Sequence, residues 1–313
     1  MLNISACIIT NNNHSVLKAI ESVYDSVNEI ILVNTCEDFT IDLTEHDKVK
    51  LYSFDWCDDF SKARNYSISK ATGDWILIID SDEVLESSLK GLTNDFDFYF
   101  IRVRNKKEYY KNIRIFRNKK SMIFRNMVHE SVEESCKELK GCKTDITFNH
   151  LGYEITQEQL REKAERNYRI LLKDKKNPGR NIHFAKHHFT LGNYWEAIRY
   201  GNKVLKQKDI NNDNKAIICI MIYEAYKKLG AGELGIGYLS NSIQLLPMQL
   251  HSRYLLVNYL YNLPEKNKYK ELILKQLIAI GSLITFKNSE MSNDIYCDIN
   301  FVNKTRKEIE KWQ

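Results

Sequence analysis

The chain has 313 residues, of which 43% are hydrophobic and 28% charged, a composition typical of a globular protein with room for two domains. Its net charge of +5 is small and its Lys and Arg residues are spread along the chain, which predicts an ordinary solvated surface and no nucleic-acid partner. The seven cysteines are odd in number and scattered, as in reduced proteins, and no basic leader or apolar run of about 18 residues occurs. These features predict a cytoplasmic protein without a membrane span.

The first 100 residues alternate the apolar patterns of strands with those of helices. Short apolar runs rich in β-branched residues predict strands, and apolar residues at helical spacing predict helices between them. The predicted strands are residues 3–10, 29–34, 49–54 and 75–79, and the predicted helices are residues 15–24 and 60–71. This alternation indicates βαβ units and a mainly parallel sheet, in which ligands bind beyond the carboxyl ends of the strands.

From residue 96 to 150, shorter strand-like pieces separated by polar turns predict the mixed or antiparallel half of an α/β domain. From Gln157 onward, the apolar spacing is almost entirely helical. Two turns of tetratricopeptide type, at Gly192 and Gly230, are separated by slightly more than one repeat of about 34 residues. The expected division is an α/β domain at residues 1–155 and an all-α helical-repeat domain at residues 156–313. A non-repetitive helical bundle is the alternative for the second half.

Three histidines cluster in the helical half, at His183, His187 and His188. The first two are spaced four residues apart, as on one face of a helix, but no third ligand at zinc spacing accompanies them. This pattern favours packing in a core or groove over a metal site.

The strongest local signal is the acidic run from Asp80 to Glu83, which directly follows the apolar strand at residues 75–79. Two carboxylates separated by one residue at a strand end can face one Mg²⁺ or Mn²⁺ ion, which takes its other ligands from water and phosphate. The alternative is an exposed turn with a helix N-cap.

Several motifs, in order and at characteristic spacing, resemble the family 2 glycosyltransferases. They comprise residues 4–10, 28–33, 56–67, 71–83, 114–118, 128–130 and 150–153. The helical half that follows resembles the subgroup of this family that carries a tetratricopeptide tail. The resemblance implies a GT-A fold, with a Rossmann-like mixed sheet, a nucleotide-diphosphate sugar donor, a divalent metal and, in most members, inversion at the anomeric carbon.

The resemblance also implies roles for particular residues. Asp80 and Asp82 match the Asp-x-Asp motif, in which Asp82 would bind the ion and Asp80 would contact the ribose or the ion's water. Arg64 and Asn65 match a segment that lies near the donor, and Thr10 matches the nucleotide-binding turn after the first strand. A charge on a helix surface is the alternative for Arg64.

The turn after the second strand departs from the family pattern. Asn34 stands where the family usually has an Asp that reads the nucleotide base or ribose. Asn can still hydrogen-bond uracil, and Asp38 lies close enough in sequence to act as a substitute. A UDP-sugar is the expected donor, although the change from Asp to Asn leaves the identity of the nucleotide open.

His129 and Glu130 are the best candidates for the general base that inverting transfer requires, because the base must reach the acceptor proton. The alternative for His129 is a turn histidine whose hydrogen bonds are satisfied. His150 ends a predicted strand and is either a third metal ligand beside Asp80 and Asp82 or a structural histidine.

The expected activity is that of an inverting glycosyltransferase that uses Mn²⁺ or Mg²⁺. Bacterial enzymes that glycosylate a Cys or Ser of a small peptide bacteriocin share the same order, a family 2 domain followed by helical repeats, which makes a peptide the first expectation for the acceptor. The helical half would position that acceptor or pair two subunits in a homodimer. The alternatives are transfer to a lipopolysaccharide or another cell-surface glycan, and an inactive scaffold that binds peptides through its repeats. The intact Asp80-Ser81-Asp82 argues against the scaffold.

Overall fold

The computed structural model describes residues 2–105, 108–151, 156–286 and 298–309. It divides into two compact units. The first unit, here the α/β unit, comprises Met1–Leu160 and Arg169–Asn177, and the second, here the helical unit, comprises Arg161–Tyr168 and Pro178–Gln313. The expected domain boundary, between residues 155 and 156, lies five residues before the end of the stretch Met1–Leu160. The return of residues 169–177 to the α/β unit was not predicted.

The α/β unit contains an eight-stranded sheet in its described residues. Its elements are β1 (Ile4–Thr10), α1 (Val16–Val23), β2 (Glu29–Asn34), β3 (Val49–Ser53), α2 (Phe60–Lys70), β4 (Trp75–Asp80), β5 (Glu83–Leu85), β6 (Phe98–Asn105), β7 (Glu108–Arg117), α3 (Glu133–Cys136) and β8 (Gly141–His150). The strand order is β3-β2-β1-β4-β7-β6-β8-β5. Strands β3, β2, β1 and β4 are parallel, whereas β7 is antiparallel to β4 and β6 is antiparallel to β7. This mixed sheet agrees with the GT-A fold that the resemblance implies.

The sheet is covered by helices on both faces. Helix α1 buries Val16, Ala19, Ile20 and Val23 in one core cluster with Ile8 and other sheet residues of the same face. Helix α2 contributes Ile68 to the core on the opposite face, together with Ile76 and Ile78. Burial on both faces explains why β1, β2 and β4 are nearly continuous apolar runs that could be predicted from the sequence, whereas the edge strand β3 has no buried residue.

The acidic turn after β4 leads into a strand and not a helix. Glu83 begins β5, which pairs antiparallel with β8, so that Glu83 lies opposite His150. Glu83 is completely buried. The alternative of an exposed turn with a helix N-cap is therefore wrong.

The remaining elements are helices, as the spacing after residue 157 predicted. They are α4 (Gln157–Lys173), α5 (Arg180–Thr190), α6 (Tyr194–Lys206), α7 (Asn212–Lys228), α8 (Gly232–Leu245), α9 (Leu250–Tyr261), α10 (Lys270–Phe286) and α11 (Ile299–Ile309). Two helix pairs, α5 with α6 and α7 with α8, turn at Gly192 and Gly230, whose φ angles are +79° and +74°. These positive φ values suit glycine, because it has no Cβ. None of the helices in the described residues is long and apolar enough to cross a lipid bilayer.

Candidate active site

The ends of three neighbouring strands form the edge of the sheet on which the predicted site residues lie. Thr10 ends β1 opposite Asn34 at the end of β2, and Asp80 ends β4 beside Ile9. The backbone N–H of Thr35 donates to the carbonyl oxygen of Thr10 at 2.8 Å, which joins the turns that follow β1 and β2. The carboxyl edge of a parallel sheet is the usual place for a ligand in such a fold.

Two buried arginines and three carboxylates form one connected charge network at this edge. Arg64, on α2, is paired with Asp80, and its Nε donates to Oε1 of Glu130 at 3.1 Å. Arg114, on β7, donates from Nη2 to Oδ2 of Asp80 at 2.7 Å and to Oε1 of Glu83 at 2.9 Å. Only 5% of Arg64 and 7% of Arg114 is exposed, so a surface role for Arg64 is wrong.

Burial and ion pairing act in opposite directions on the carboxylates of this network. Burial alone would raise the pKa of Asp80, but the guanidinium groups of Arg114 and Arg64 hold that pKa well below its usual value. Burial raises the pKa of Glu83 to about 7, against the attraction of Arg114. Asp80 is therefore an ionised carboxylate whose two oxygens both face guanidinium groups.

Asp82 and His150 face each other next to this network. His150 Nε2 lies 3.6 Å from Oδ1 of Asp82, and the backbone N–H of Leu151 donates to the carbonyl oxygen of Asp82 at 2.6 Å. The hydroxyl of Ser15 donates to the carbonyl oxygen of Ser81 at 2.7 Å, which ties the acidic turn to the start of α1. About a quarter of the Asp82 side chain is exposed, so this carboxylate is open to a ligand.

Asp82 and His150 are suitable ligands for a Mg²⁺ or Mn²⁺ ion whose coordination would be completed by the substrate. Mg²⁺ is usually held by one or two carboxylates plus substrate phosphates and waters, and imidazole is an accepted ligand of transition metals. Within the described residues, no group of three or more His, Cys, Asp or Glu side chains is placed to hold a metal ion. The other predicted ligand, Asp80, is paired with Arg64 and Arg114.

The two candidate bases lie on one loop but in different surroundings. Glu130 is bound to Arg64 and is mostly buried, whereas His129 is exposed. The φ angle of His129 is +56°, a left-handed conformation that is uncommon for residues other than glycine. Such strain is frequently found in functional loops that the surrounding structure holds in place.

Two predicted donor-binding asparagines are engaged in hydrogen bonds to the backbone. The side chain of Asn34 accepts from the N–H of Cys36 at 3.1 Å and donates to its carbonyl oxygen at 2.7 Å. Asn65 accepts from the N–H of Phe124 and donates to its carbonyl oxygen, both at 2.9 Å. Asp38 is exposed beyond the same edge of the sheet. Contacts from these three residues to a nucleotide stay predictions.

Arg114 and Glu83 were not predicted as site residues, although both lie in segments that resemble the family. The available signal for Arg114 was its position between Ile113 and Ile115 in a strand, since a buried arginine requires a carboxylate partner. The identity of that partner could not be predicted, because β4 and β7 become neighbours only in the folded sheet.

Residues 5–127 match the family model described as Glycosyl transferase family 2. This segment is a glycosyl transferase family 2 domain. It includes Arg64, Asp80, Glu83 and Arg114 of the charge network, whereas Glu130 lies just beyond the matched segment.

Two curated relatives extend this similarity along the chain. A TPR repeat-containing protein of Synechococcus elongatus is 34% identical over 187 residues, which are 53% of this chain and 46% of the relative. The SPbeta prophage-derived glycosyltransferase SunS of Bacillus subtilis is 26% identical over 235 residues, which are 69% of this chain and 56% of the relative. The chain thus spans about half the length of the curated relatives that it matches.

Solved structures give more distant likenesses. TarS of S. aureus has a TM-score of 0.41 and 13% identity, covering 74% of this chain and 54% of TarS. The mannosyltransferase PcManGT of Pyrobaculum calidifontis, solved with GDP-Man and Mn²⁺, has a TM-score of 0.43 and 11% identity, covering 92% and 88% of the two chains. Both TM-scores are below 0.5, so neither likeness supports an inference about the site.

Proposed function

We propose that this protein is an inverting, metal-dependent glycosyltransferase that uses a nucleotide-diphosphate sugar, with a UDP-sugar as the expected donor. The observation that carries the proposal is the network of Arg64, Asp80 and Glu130 at the carboxyl edge of a family 2 domain. A buried network of this kind links the residue that ends β4 to a candidate base on another loop. Perturbed charges gathered at one ligand-binding edge are typical of catalytic sites.

The donor would lie over the ends of β1, β2 and β4, with its diphosphate beside the acidic turn. Asp82 and His150 would hold the Mn²⁺ or Mg²⁺ ion, which supplies positive charge to the leaving diphosphate. Arg64 and Arg114 are fixed by their ion pairs and need little reorganisation when charge develops nearby. Their own carboxylate partners keep the network close to neutral before the donor binds.

The acceptor would react on the side of the loop that carries His129 and Glu130. As its oxygen or sulfur bonds to the anomeric carbon, the bond from that carbon to the diphosphate oxygen breaks, and the acceptor proton moves to the base. Oε1 of Glu130 already accepts from Arg64, which leaves Oε2 to receive the proton if Glu130 is the base. Otherwise an imidazole nitrogen of the exposed His129 receives it.

A peptide with a reactive Cys or Ser is the proposed acceptor, and the helical unit is proposed to hold it. The order of a family 2 domain followed by paired helices supports this proposal. Trp195 at the start of α6 is 62% exposed and offers a rigid contact surface. If peptides are not modified, the alternatives are that the acceptor is a glycan or that the helical unit pairs two subunits.

The activity is tested by nucleotide release from a panel of UDP-sugars and GDP-mannose, with Mn²⁺, with Mg²⁺ and with EDTA. Asp82→Asn should lower metal-dependent release by at least about 100-fold, the usual loss when one preorganised electrostatic group is removed. Asp145→Asn is the matched control, because Asp145 is 88% exposed and pairs with Arg102 on the surface. Full wild-type activity in EDTA would exclude a metal requirement. If the protein neither binds nor cleaves any donor of the panel, the assignment as a glycosyltransferase is excluded.

The acceptor is tested separately by mass spectrometry of peptides and glycans incubated with the donor that supports release. A mass increase of one sugar on a Cys- or Ser-containing peptide supports the peptide proposal. Modification of glycans alone contradicts it while leaving the transferase assignment intact.

A further inference from the structure

Two buried polar residues follow α4, in the short stretch of chain that returns to the α/β unit. Asp174 is 7% exposed and Asn177 is 5% exposed. Both belong to the α/β unit although they lie far beyond the segment that matches the family 2 domain. Buried carboxylate and amide groups require hydrogen-bond partners, so the partners of these two residues indicate what the stretch does.

The partners are backbone groups of the loop that carries the candidate bases. The N–H of Met127 donates to Oδ2 of Asp174 at 2.8 Å. Nδ2 of Asn177 donates to the carbonyl oxygen of Val128 at 3.3 Å and to Oδ2 of Asp174 at the same distance. The N–H of Met127 and the carbonyl oxygen of Val128, in the two residues before His129, are thus held by side chains from a distant part of the sequence.

Helix α2 holds the same loop from its other side. The N–H of Phe60 donates to the carbonyl oxygen of Met127 at 2.8 Å, and Arg64 donates to Glu130. Lys173 Nζ lies 2.6 Å from Oδ2 of Asp58, which joins the end of α4 to the residues before α2. Both the first residue of α2 and residues 174–177 therefore contribute hydrogen bonds to the backbone of this loop.

This double attachment explains how an unusual backbone conformation persists at His129. A left-handed conformation at a residue other than glycine is unfavourable and is retained where surrounding contacts determine it. Asp174 and Asn177 bind backbone atoms of the two residues before His129, whereas Arg64 binds the side chain of Glu130 directly after it.

We infer that Asp174 and Asn177 are positioning residues, which set the place of His129 and Glu130 relative to Arg64 and the donor. The inference rests on the proposed function for its catalytic consequence, and on the hydrogen bonds to Met127 and Val128 for its structural part. Proton transfer requires the base within hydrogen-bond reach of the acceptor, and a shift of about 1 Å is enough to cost about 100-fold in rate.

The test uses the full-length chain with Asp174→Ala, Asp174→Asn and Asn177→Ala. Lys176→Ala is the matched control, because Lys176 lies exposed in the same turn. Two readouts are taken for each variant: amide hydrogen exchange of the peptide that spans residues 124–131, and kcat and donor KM for nucleotide-sugar turnover.

Exchange in this peptide should become about tenfold faster in Asp174→Ala and Asn177→Ala, because each loses a hydrogen bond that restrains the loop. The value of kcat should fall about 10- to 100-fold while donor KM stays within about twofold, since the donor contacts are untouched. For Asp174→Asn, both the exchange rate and kcat should lie between those of wild type and Asp174→Ala, because the amide Oδ1 can still accept from the N–H of Met127. Lys176→Ala should match the wild type in both readouts.

Unchanged hydrogen exchange in the folded variants would overturn the inference. So would a fall in kcat that is fully explained by a smaller fraction of folded protein. If Asp174→Ala does not fold, Asp174→Asn and Asn177→Ala decide the question by the same two readouts. A wild-type protein that turns over no nucleotide sugar would remove the proposed function, whereas loop exchange would still decide whether the two residues position the loop.

Discussion

The two units of this protein bury titratable side chains in different charge states. The α/β unit buries Arg64 and Arg114 as charged groups among three carboxylates. The helical unit buries His187 and His188, and burial lowers the pKa of both, that of His187 to about 4. These imidazoles are therefore neutral near pH 7, and His188 stacks on Tyr200 with ring centroids 5.4 Å apart.

The difference follows from what each region is built to do. Buried ion pairs are costly to desolvate and contribute little net stability, so their presence at a ligand-binding edge favours a functional reason for them. Neutral rings that pack against aromatic neighbours stabilise a helical unit through their contacts and need no charged partner. The predictions below test this contrast, from the largest expected effect to the smallest.

Removing a buried cation should be the most damaging of these changes to the stability of the α/β unit. Arg114→Met leaves Asp80 and Glu83 with one cation fewer and should lower the free energy of unfolding of this unit by about 3–5 kcal/mol. The control is Arg199→Met in the helical unit, whose exposed pair with Glu196 contributes little to stability. Hydrogen exchange at rising urea concentrations measures each unit separately. Equal effects of the two substitutions would contradict the contrast.

The loop that carries the two candidate bases, His129 and Glu130, should show the next largest effect. Of His129→Ala and Glu130→Ala, the variant that removes the base should lose at least about 100-fold in kcat for transfer, with donor affinity retained. The reason is that a base acts on the acceptor and not on the nucleotide. Titration calorimetry with the nucleotide, alongside transfer rates, separates the two effects. If both variants lose only donor affinity, the loop belongs to the nucleotide site.

Acid should destabilise the helical unit through His187. The unfolded chain takes up a proton near pH 6.5 but the folded unit only near pH 4, so stability is complete above pH 6.5 and is lost as the pH falls towards 4. The loss attributable to His187 is at most about 3.5 kcal/mol, at roughly 1.4 kcal/mol for each pKa unit. Urea unfolding of wild type and His187→Leu between pH 4 and 8 should show a shallower pH dependence for the variant. Parallel curves would show that His187 is not responsible.

The smallest expected effect on stability concerns the surface of the helical unit. Trp195 is 62% exposed and only its edge approaches Tyr226, with centroids 6.2 Å apart, so Trp195→Ala should change stability by less than about 1 kcal/mol. Tyr223→Ala, at a residue that is 3% exposed, should cost about 3–5 kcal/mol. If the helical unit holds the acceptor, Trp195→Ala raises the KM for the acceptor but not for the donor. An unchanged acceptor KM would place acceptor binding elsewhere.

Much of the α/β unit was predictable because β1, β2 and β4 are nearly continuous apolar runs and α1 carries one apolar stripe. The turns at Gly192 and Gly230 were predictable for a similarly local reason, since a positive φ selects glycine. The short strand β5 was not, because three residues carry no usable periodicity.

The pairing within the site could not be predicted from local patterns. Arg114 lies on β7, 34 residues beyond Asp80, and only the sheet order brings β7 beside β4. Residues 169–177 were assigned to the helical domain for the same reason. Helical spacing shows that α4 has an apolar face but not which neighbour that face packs against.

The return of residues 169–177 to the α/β unit has a consequence for the order of events during biosynthesis. Chains emerge from the ribosome amino terminus first, at about 5–20 residues per second, and domains fold as they are completed. The strands of the sheet are all made before Asp174 and Asn177, so a nascent chain can pair its strands while the loop at His129 still lacks two of its anchors. A chain whose translation stops at residue 160 would therefore carry every strand of the sheet while the loop at His129 lacks Asp174 and Asn177, which are made only after the first residues of the helical unit.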